Sequence, residues 1–477
     1  MVNGLTSLNG KKKIFYGMCR LGSSIFMNVI TLALFWIYTS HFHLEPFITG
    51  VGTAVGKIVI AFSSLLFGYL SDLLPFSKLG RRKIFMWTGS PLLAISFVML
   101  FIPHLFIPTS NQMVVLIWLF LWNSLFNLFY GFLIAPYQSW MPEITEEDER
   151  IMVSGIQSTT NLFAMLLGTG FSFVIAGVLE LNGGLAGING WLLVIPIIFF
   201  AILEVLFFLP ALLAIKEEPV EQKKIKMTRE IRLILSNKNY LIWILGQGIF
   251  SIGVAAVSSL ILDFSSKIIG LQTVPQFAFF GATMFVTVIF CFFLWSKIAD
   301  TIGKKWSLII SFLYLQLVLP LTLVIGKIPT IPPSYQGYLF AFLAGIGLSA
   351  PYLFPYAIIA DIADKDAQET DQQRSGLYYG FNMIVLNLFQ AMGLLFSGFL
   401  KGLPNNLGLL LVGPISAGFF LLAIPIFWFG NFDPFKGQEQ ITPAKDRQES
   451  KESMFVDDEV ITVKKEDSGD ISTAFGK

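Results

Sequence analysis

Amides and hydroxyls recur at helical spacing in four places along the sequence. Ser24, Asn28 and Thr31 lie four and three residues apart, as do Asn123, Asn127 and Tyr130, while Gln157 and Asn161 are four apart and Asn387 and Gln390 three. Such intervals put each set on one face of a helix. Groups that both donate and accept hydrogen bonds suit a neutral, polyhydroxylated ligand better than bond-breaking chemistry. Gln247, Tyr352 and Tyr356 could join them. The competing reading is hydrogen bonding between helices, worth about 0.6–2 kcal/mol per contact. Spacing alone leaves both open.

Three ionisable residues interrupt or close otherwise apolar runs: Lys57, Glu204 and Asp263. A charge in such a run costs about 2.5–3.5 kcal/mol on insertion scales, so each is a candidate for ion coupling. The alternatives are a snorkelling ammonium for Lys57, a paired structural carboxylate for Glu204 and an interfacial one for Asp263. Arg20 lies near the mouth of its run, and His41, His43 and His104 lie at the ends of theirs. The sequence has no G-x-x-x-x-G-K-[ST] loop to hold ATP and no H-E-x-x-H metal motif. No enzymatic activity, cofactor or metal is expected.

The elements that must hold these residues follow from composition. Of 477 residues, 55% are hydrophobic and 13% charged, about half the charge of an ordinary soluble chain. The apolar residues form twelve blocks, roughly 16–40, 47–71, 84–107, 113–140, 154–179, 191–215, 240–262, 276–296, 306–326, 337–360, 376–400 and 407–430. Each has the ~20 residues a helix needs to cross a bilayer, and the alternation of a membrane barrel is absent. The expectation is an all-α membrane protein with twelve transmembrane helices. Cys19 and Cys291 fall at or inside apolar blocks, so no disulfide framework is implied. A net charge of +1 offers no steering to nucleic acid. The expected partners are the lipid bilayer and a small-molecule solute, with H⁺ if transport is coupled, and the chain is read as a monomer.

All but four of the 32 lysines and arginines fall on one side if the N-terminus is inside; the exceptions are Lys57, Lys267, Lys327 and Lys401. That asymmetry predicts cytoplasmic termini. Residues 216–239 divide the spans six and six, giving bundles at 1–215 and 240–430 joined by a charged linker, with a surface-lying helix around Met227–Leu235. The segment 431–477 is polar and reads as a disordered tail.

The two halves echo one another. Gly68-Tyr-Leu-Ser-Asp72 with Gly80-Arg81-Arg82-Lys83 follows the second span, and Ser296-Lys-Ile-Ala-Asp300 with Gly303-Lys304-Lys305 follows the eighth. Pro136-Tyr137 with Glu143 and Arg150 is matched by Pro355-Tyr356 with Asp361 and Arg374. Parallel six-helix repeats imply a solute site near mid-membrane, between halves that rock. These motifs resemble the major facilitator superfamily, and within it the glycoside–pentoside–hexuronide:cation symporters, the melibiose-carrier-like branch. The resemblance spans about 14–430. It implies a secondary transporter or facilitator of a sugar, glycoside or similar neutral polar solute at the cell membrane, with the first, fourth, seventh and tenth helices lining the cavity.

Asp72, Arg81, Arg82, Glu143, Arg150, Asp300, Lys304, Asp361 and Arg374 are then expected to latch the cytoplasmic faces of the halves together. The branch's acidic positions fall at Ser24, Ile60, Ser64 and Ile134, its basic one at Asn387, and its sugar-stacking tryptophan at Gln138. Without those carboxylates the usual Na⁺ site is not expected, and a coupled carrier would use protons. Pro351 and Pro355 predict a bent or broken tenth helix. A lysolipid or amphiphile carrier, and a non-transporting sensor acting through the tail, remain alternatives.

Overall fold

A computed structural model describes residues 9–75, 80–145, 147–182, 191–217, 227–370 and 374–434. Among them are twelve helices long and apolar enough to cross a membrane: α1 Gly10–Ser40, α2 Pro46–Ser71, α3 Lys83–Phe101, α4 Gln112–Met141, α5 Met152–Leu181, α6 Val194–Ala214, α7 Lys238–Lys267, α8 Val274–Ile302, α9 Lys304–Leu323, α10 Pro333–Thr370, α11 Ser375–Lys401 and α12 Pro404–Trp428. Leu, Ile, Phe and Trp cover their outer surfaces, as lipid-facing helices require. The expected surface helix is present at Met227–Ser236.

Helix ends are fixed by side chains chosen for the purpose. Pro46 starts α2, and the Glu45 carboxylate before it accepts from the amides of Phe47 and Ile48. Asn111 and Asn237 cap α4 and α7 in the same way. The starts of α3 and α9 share one construction. Gly80 and Gly303 adopt φ of +92° and +95°, conformations that favour glycine. Glu217 accepts from the amides of Arg81, Arg82 and Lys83 at 2.9, 2.8 and 3.1 Å. Asp433 accepts from those of Lys304 and Lys305 at 2.7 and 3.1 Å. An anion at a helix N-terminus satisfies free amides and opposes the dipole.

Asp433 lies within the segment read as a disordered tail, so that boundary was placed too early. Phe432 is buried against Trp243, with ring centroids 5.3 Å apart. The rest of the tail, 435–477, and linker residues 218–226 lie outside the described residues.

Of the two shapes expected for the tenth helix, bent or broken, the second does not occur: α10 continues as one helix through Pro351 and Pro355. The irregular helix is α1, interrupted at Cys19 and wound as a π-helix over Ile30–Leu34. π-turns place backbone carbonyls out of register and recur at functional sites.

Candidate functional site

Between the helices of the first half and those of the second, Arg20 of α1 lies against the hydroxyl of Tyr130 on α4 and within electrostatic reach of those of Tyr137 on α4 and Tyr356 on α10. Tyr356 is 54% exposed and Tyr352, one turn away, 36%, and Tyr352 faces the Ser258 hydroxyl of α7. Both rings are thus only partly covered by protein. Arg20 was visible in the sequence only as a residue at a helix mouth, since nothing local marks its three tyrosine partners.

Several amides of the polar stripes are spent on packing. Asn123 donates to the carbonyls of Gly52 and Thr53 on α2, and Asn127 to the carbonyl and side-chain oxygen of Asn123. Both are buried, against Gly56, where a methyl group would leave no room for them. The Asn123 amide thus joins α2 to α4 and the Asn127 amide holds it in place, while Tyr130 of the same stripe lies near Arg20. Asn123→Leu should lower stability by about 0.6–2 kcal/mol in thermal unfolding and leave solute selectivity unaltered.

Gln157 donates to the Tyr137 hydroxyl at 2.7 Å, and Tyr16 and Tyr137 exchange hydroxyl-to-carbonyl bonds at 2.6 and 2.7 Å. This amide is therefore an anchor for α4 on α1 and α5. Asn28 and Asn387 donate to carbonyls of their own helices, Ser24 and Met383. Ser24 Oγ and Gln247 Oε1 are buried without a hydrogen-bond partner. Asn161 and Gln390 are half-buried.

Lys57 does not sit at the helix end, as a snorkelling lysine would. It lies eleven residues into α2, about 16 Å along the axis, half-buried and with no ion pair among the described residues. α2 crosses α11 through Gly50 on Leu394 and Gly398, and Ala54 on Ala391 and Leu394. Lys57 follows Ala54 by one turn on that face.

Asp263, expected to couple ions, sits in a network of ion pairs and hydroxyls. It is fully buried and paired with Lys401 of α11 at 2.5 Å and with Lys267 at 3.3 Å. Lys401 also donates to Thr39 and to Ser40 of α1, and Ser40 donates to Asp263 at 3.0 Å. Nearby, Ser266 of α7 donates to Glu180 of α5 at 2.6 Å. These bonds, with the α2–α11 crossing and the packing of Gly177 and Phe173 of α5 on Val274 and Gly281 of α8, close the halves at the face remote from the basic loops. Arg20 and Tyr356 lie away from this closed face, nearer the ends of α1 and α10 that carry the basic loops. His41, beside the seal, is pushed down to about 4 by burial and then by Lys401, so it stays neutral above that pH.

Residues 15–402 match the model of the MFS/sugar transport protein family. The chain belongs to that family. It is 22% identical to an uncharacterized symporter of Synechocystis, over 83% of this chain and 87% of that one. It is likewise 22% identical to an uncharacterized symporter of Bacillus subtilis, over 83% of each. A candidate sulfoquinovose importer of Escherichia coli is 25% identical over 35% of this chain and 36% of its own. In fold it is similar to a bacterial homologue of the lysosomal transporter Spinster in an inward-facing, occupied conformation (TM-score 0.64, 16% identity, 87% and 95% coverage). A D-xylose–proton symporter gives 0.60, 13%, 89% and 98%. The protein is thus a multi-pass membrane transporter of sugar-like solutes, and its function is transport, not enzymatic catalysis.

In this MFS chain the basic-loop motifs pair within each half. Glu143 at the end of α4 accepts from Arg81 and Arg82 at 2.5 and 2.6 Å, Lys304 pairs with Asp361, and Arg374 pairs with Asp366 at 3.2 Å. Asp300 is exposed, and the side chains of Asp72 and Arg150 lie outside the described ones. The clusters brace α3 on α4 and α9 on α10, so each half can move as a unit. A surface hollow of about 650 Å³, lined by Val59, Ile117, Phe120, Leu121 and neighbours, is almost wholly apolar. It faces where acyl chains lie and contains none of the polar stripes.

Proposed function

We propose that the chain is a secondary transporter that carries a sugar-like solute in the space between its halves, by alternating access. In this reading both termini and the basic loops are cytoplasmic and the protein acts as a monomer. The observation that carries it is the meeting of Arg20 and Tyr130 with Tyr356 from the opposite half, in a space sealed at one end. A solute gripped by both halves favours their closure over it. Asp72 and Asp300 would then latch the basic face in the opposite state. Ile60 and Ile134 offer no oxygen to a cation, which favours protons over Na⁺.

A second reading, that the solute bears an acidic group, is favoured by Arg20 and Lys57, neither of which has a carboxylate partner among the described residues. Sulfoquinovose, named for the importer relatives, is such a sugar. Uptake into proteoliposomes should be measured for neutral glycosides, glucuronate, sulfoquinovose and a lysolipid. Tyr356→Ala should reduce carriage of the accepted solute about tenfold or more, the cost of one lost polar contact in the site. Uptake of the lysolipid alone, or of nothing, would defeat the proposal.

A further inference from the structure

The contact between α1 and α6 is built around one carboxyl group. Glu204 of α6 is wholly buried, and among the described residues neither of its carboxylate oxygens has a hydrogen-bond partner. Gly22 of α1 lies beneath it. A methyl group there would strike the carboxylate oxygen and come 2.7 Å from the Glu204 Cα, so only glycine lets the two backbones close over this side chain.

Few charged or titratable groups face it. From α1 come Arg20 and Cys19, whose thiol donates to the carbonyls of Phe15 and Phe207. α3 packs on the same helix and has no ionisable residue beyond Lys83 at its start, and α6 has none but Glu204 itself. Among the described residues Arg20 is the one opposite charge within electrostatic reach, yet it makes no ion pair with Glu204 and lies near the tyrosines of the solute space. An anion enclosed without a donor or counter-charge is costly, whereas a neutral carboxylic acid is accommodated far more cheaply. The interruption of α1 falls at Cys19, between these groups.

We propose that Glu204 is the proton-carrying group of the cycle and that Arg20 links its protonation to the solute site. This rests on the transport reading above. While Glu204 holds its proton, Arg20 remains with Tyr130 and Tyr356 and is available to an oxygen of the solute. When the proton leaves to water, the carboxylate draws the guanidinium toward itself and the solute loses that contact. Proton and solute therefore strengthen each other's binding, as reciprocal linkage requires. Only an O–H bond is made or broken.

The first test needs no solute, which separates its failure from failure of the transport reading. Infrared spectra of the purified full-length protein in liposomes, between about pH 5 and 9, should contain the C=O band of a buried carboxylic acid that fades as pH rises. The band should be missing in Glu204→Gln and kept in Asp263→Asn. Arg20→Gln should move the pH of its loss by about one unit or more. Absence of a pH-dependent band, or its survival in Glu204→Gln, would overturn the proposal. In vesicles that accumulate one of the solutes above on a proton gradient directed inward, acid outside, Glu204→Gln should cut accumulation about tenfold or more while solute counterflow continues. Undiminished accumulation would overturn it as well.

Discussion

Lys401→Met should open the face that Lys401 now seals. The substitution leaves Asp263 fully buried with only the half-exposed Lys267 at 3.3 Å for a counter-charge, and strips Thr39 and Ser40 of their donor. Removing one partner of a buried pair costs about 3–5 kcal/mol. Compensation by Lys267 favours the lower end, still a shift of about a hundredfold in the balance between states. Ala54 reports it, being buried at the α2–α11 crossing behind the seal. In a background freed of the buried Cys19 and Cys291, an Ala54→Cys thiol should react much faster with an impermeant maleimide once Lys401 is methionine. Adding Asp263→Leu should reverse part of the gain, because no charge is then left stranded. An unchanged labelling rate would show that the pair does not hold the seal.

Gly398→Val should have a comparable effect by steric means. A Cβ at Gly398 would sit 2.6 Å from the carbonyl oxygen of Pro46, 3.0 Å from the Phe47 Cα and 3.2 Å from the Gly50 Cα. All three are backbone atoms, so no side-chain rotation relieves the clash, and overpacking of this kind costs about 1–3 kcal/mol. The strain exists only while the halves touch at this face. The variant should therefore label rapidly at Ala54→Cys, lose uptake and unfold thermally close to the parent. A large fall in thermal stability with unchanged labelling would mean that the crossing is needed for folding and not for gating.

These residues show where sequence reasoning reached its limit. The twelve spans were legible because a bilayer demands ~20 apolar residues of each helix, a local property of the chain. The doubled loop motifs were legible too, as each is a short run of neighbours. Lys401 and Asp263 were read separately, one as a loop charge and one as a coupling candidate. Their meeting depends on α7 and α11 ending side by side, which neither helix records. Asn123 and Tyr130 share a stripe, yet one packs on α2 and the other faces Arg20, because the helix face is wider than the cavity it borders.

By itself the sequence determined that this chain lives in a membrane, how many times it crosses, that it is doubled, and that its interior is poor in carboxylates. Each follows from composition and near-neighbour spacing. Only the tertiary structure decided which polar residues are bonded away and which are left facing the space between the halves. It also decided that Glu204 is enclosed beside Arg20 and that Asp263 is spent on a seal. A side chain's role here depends on the distance to a partner hundreds of residues away, and that distance is set by helix packing.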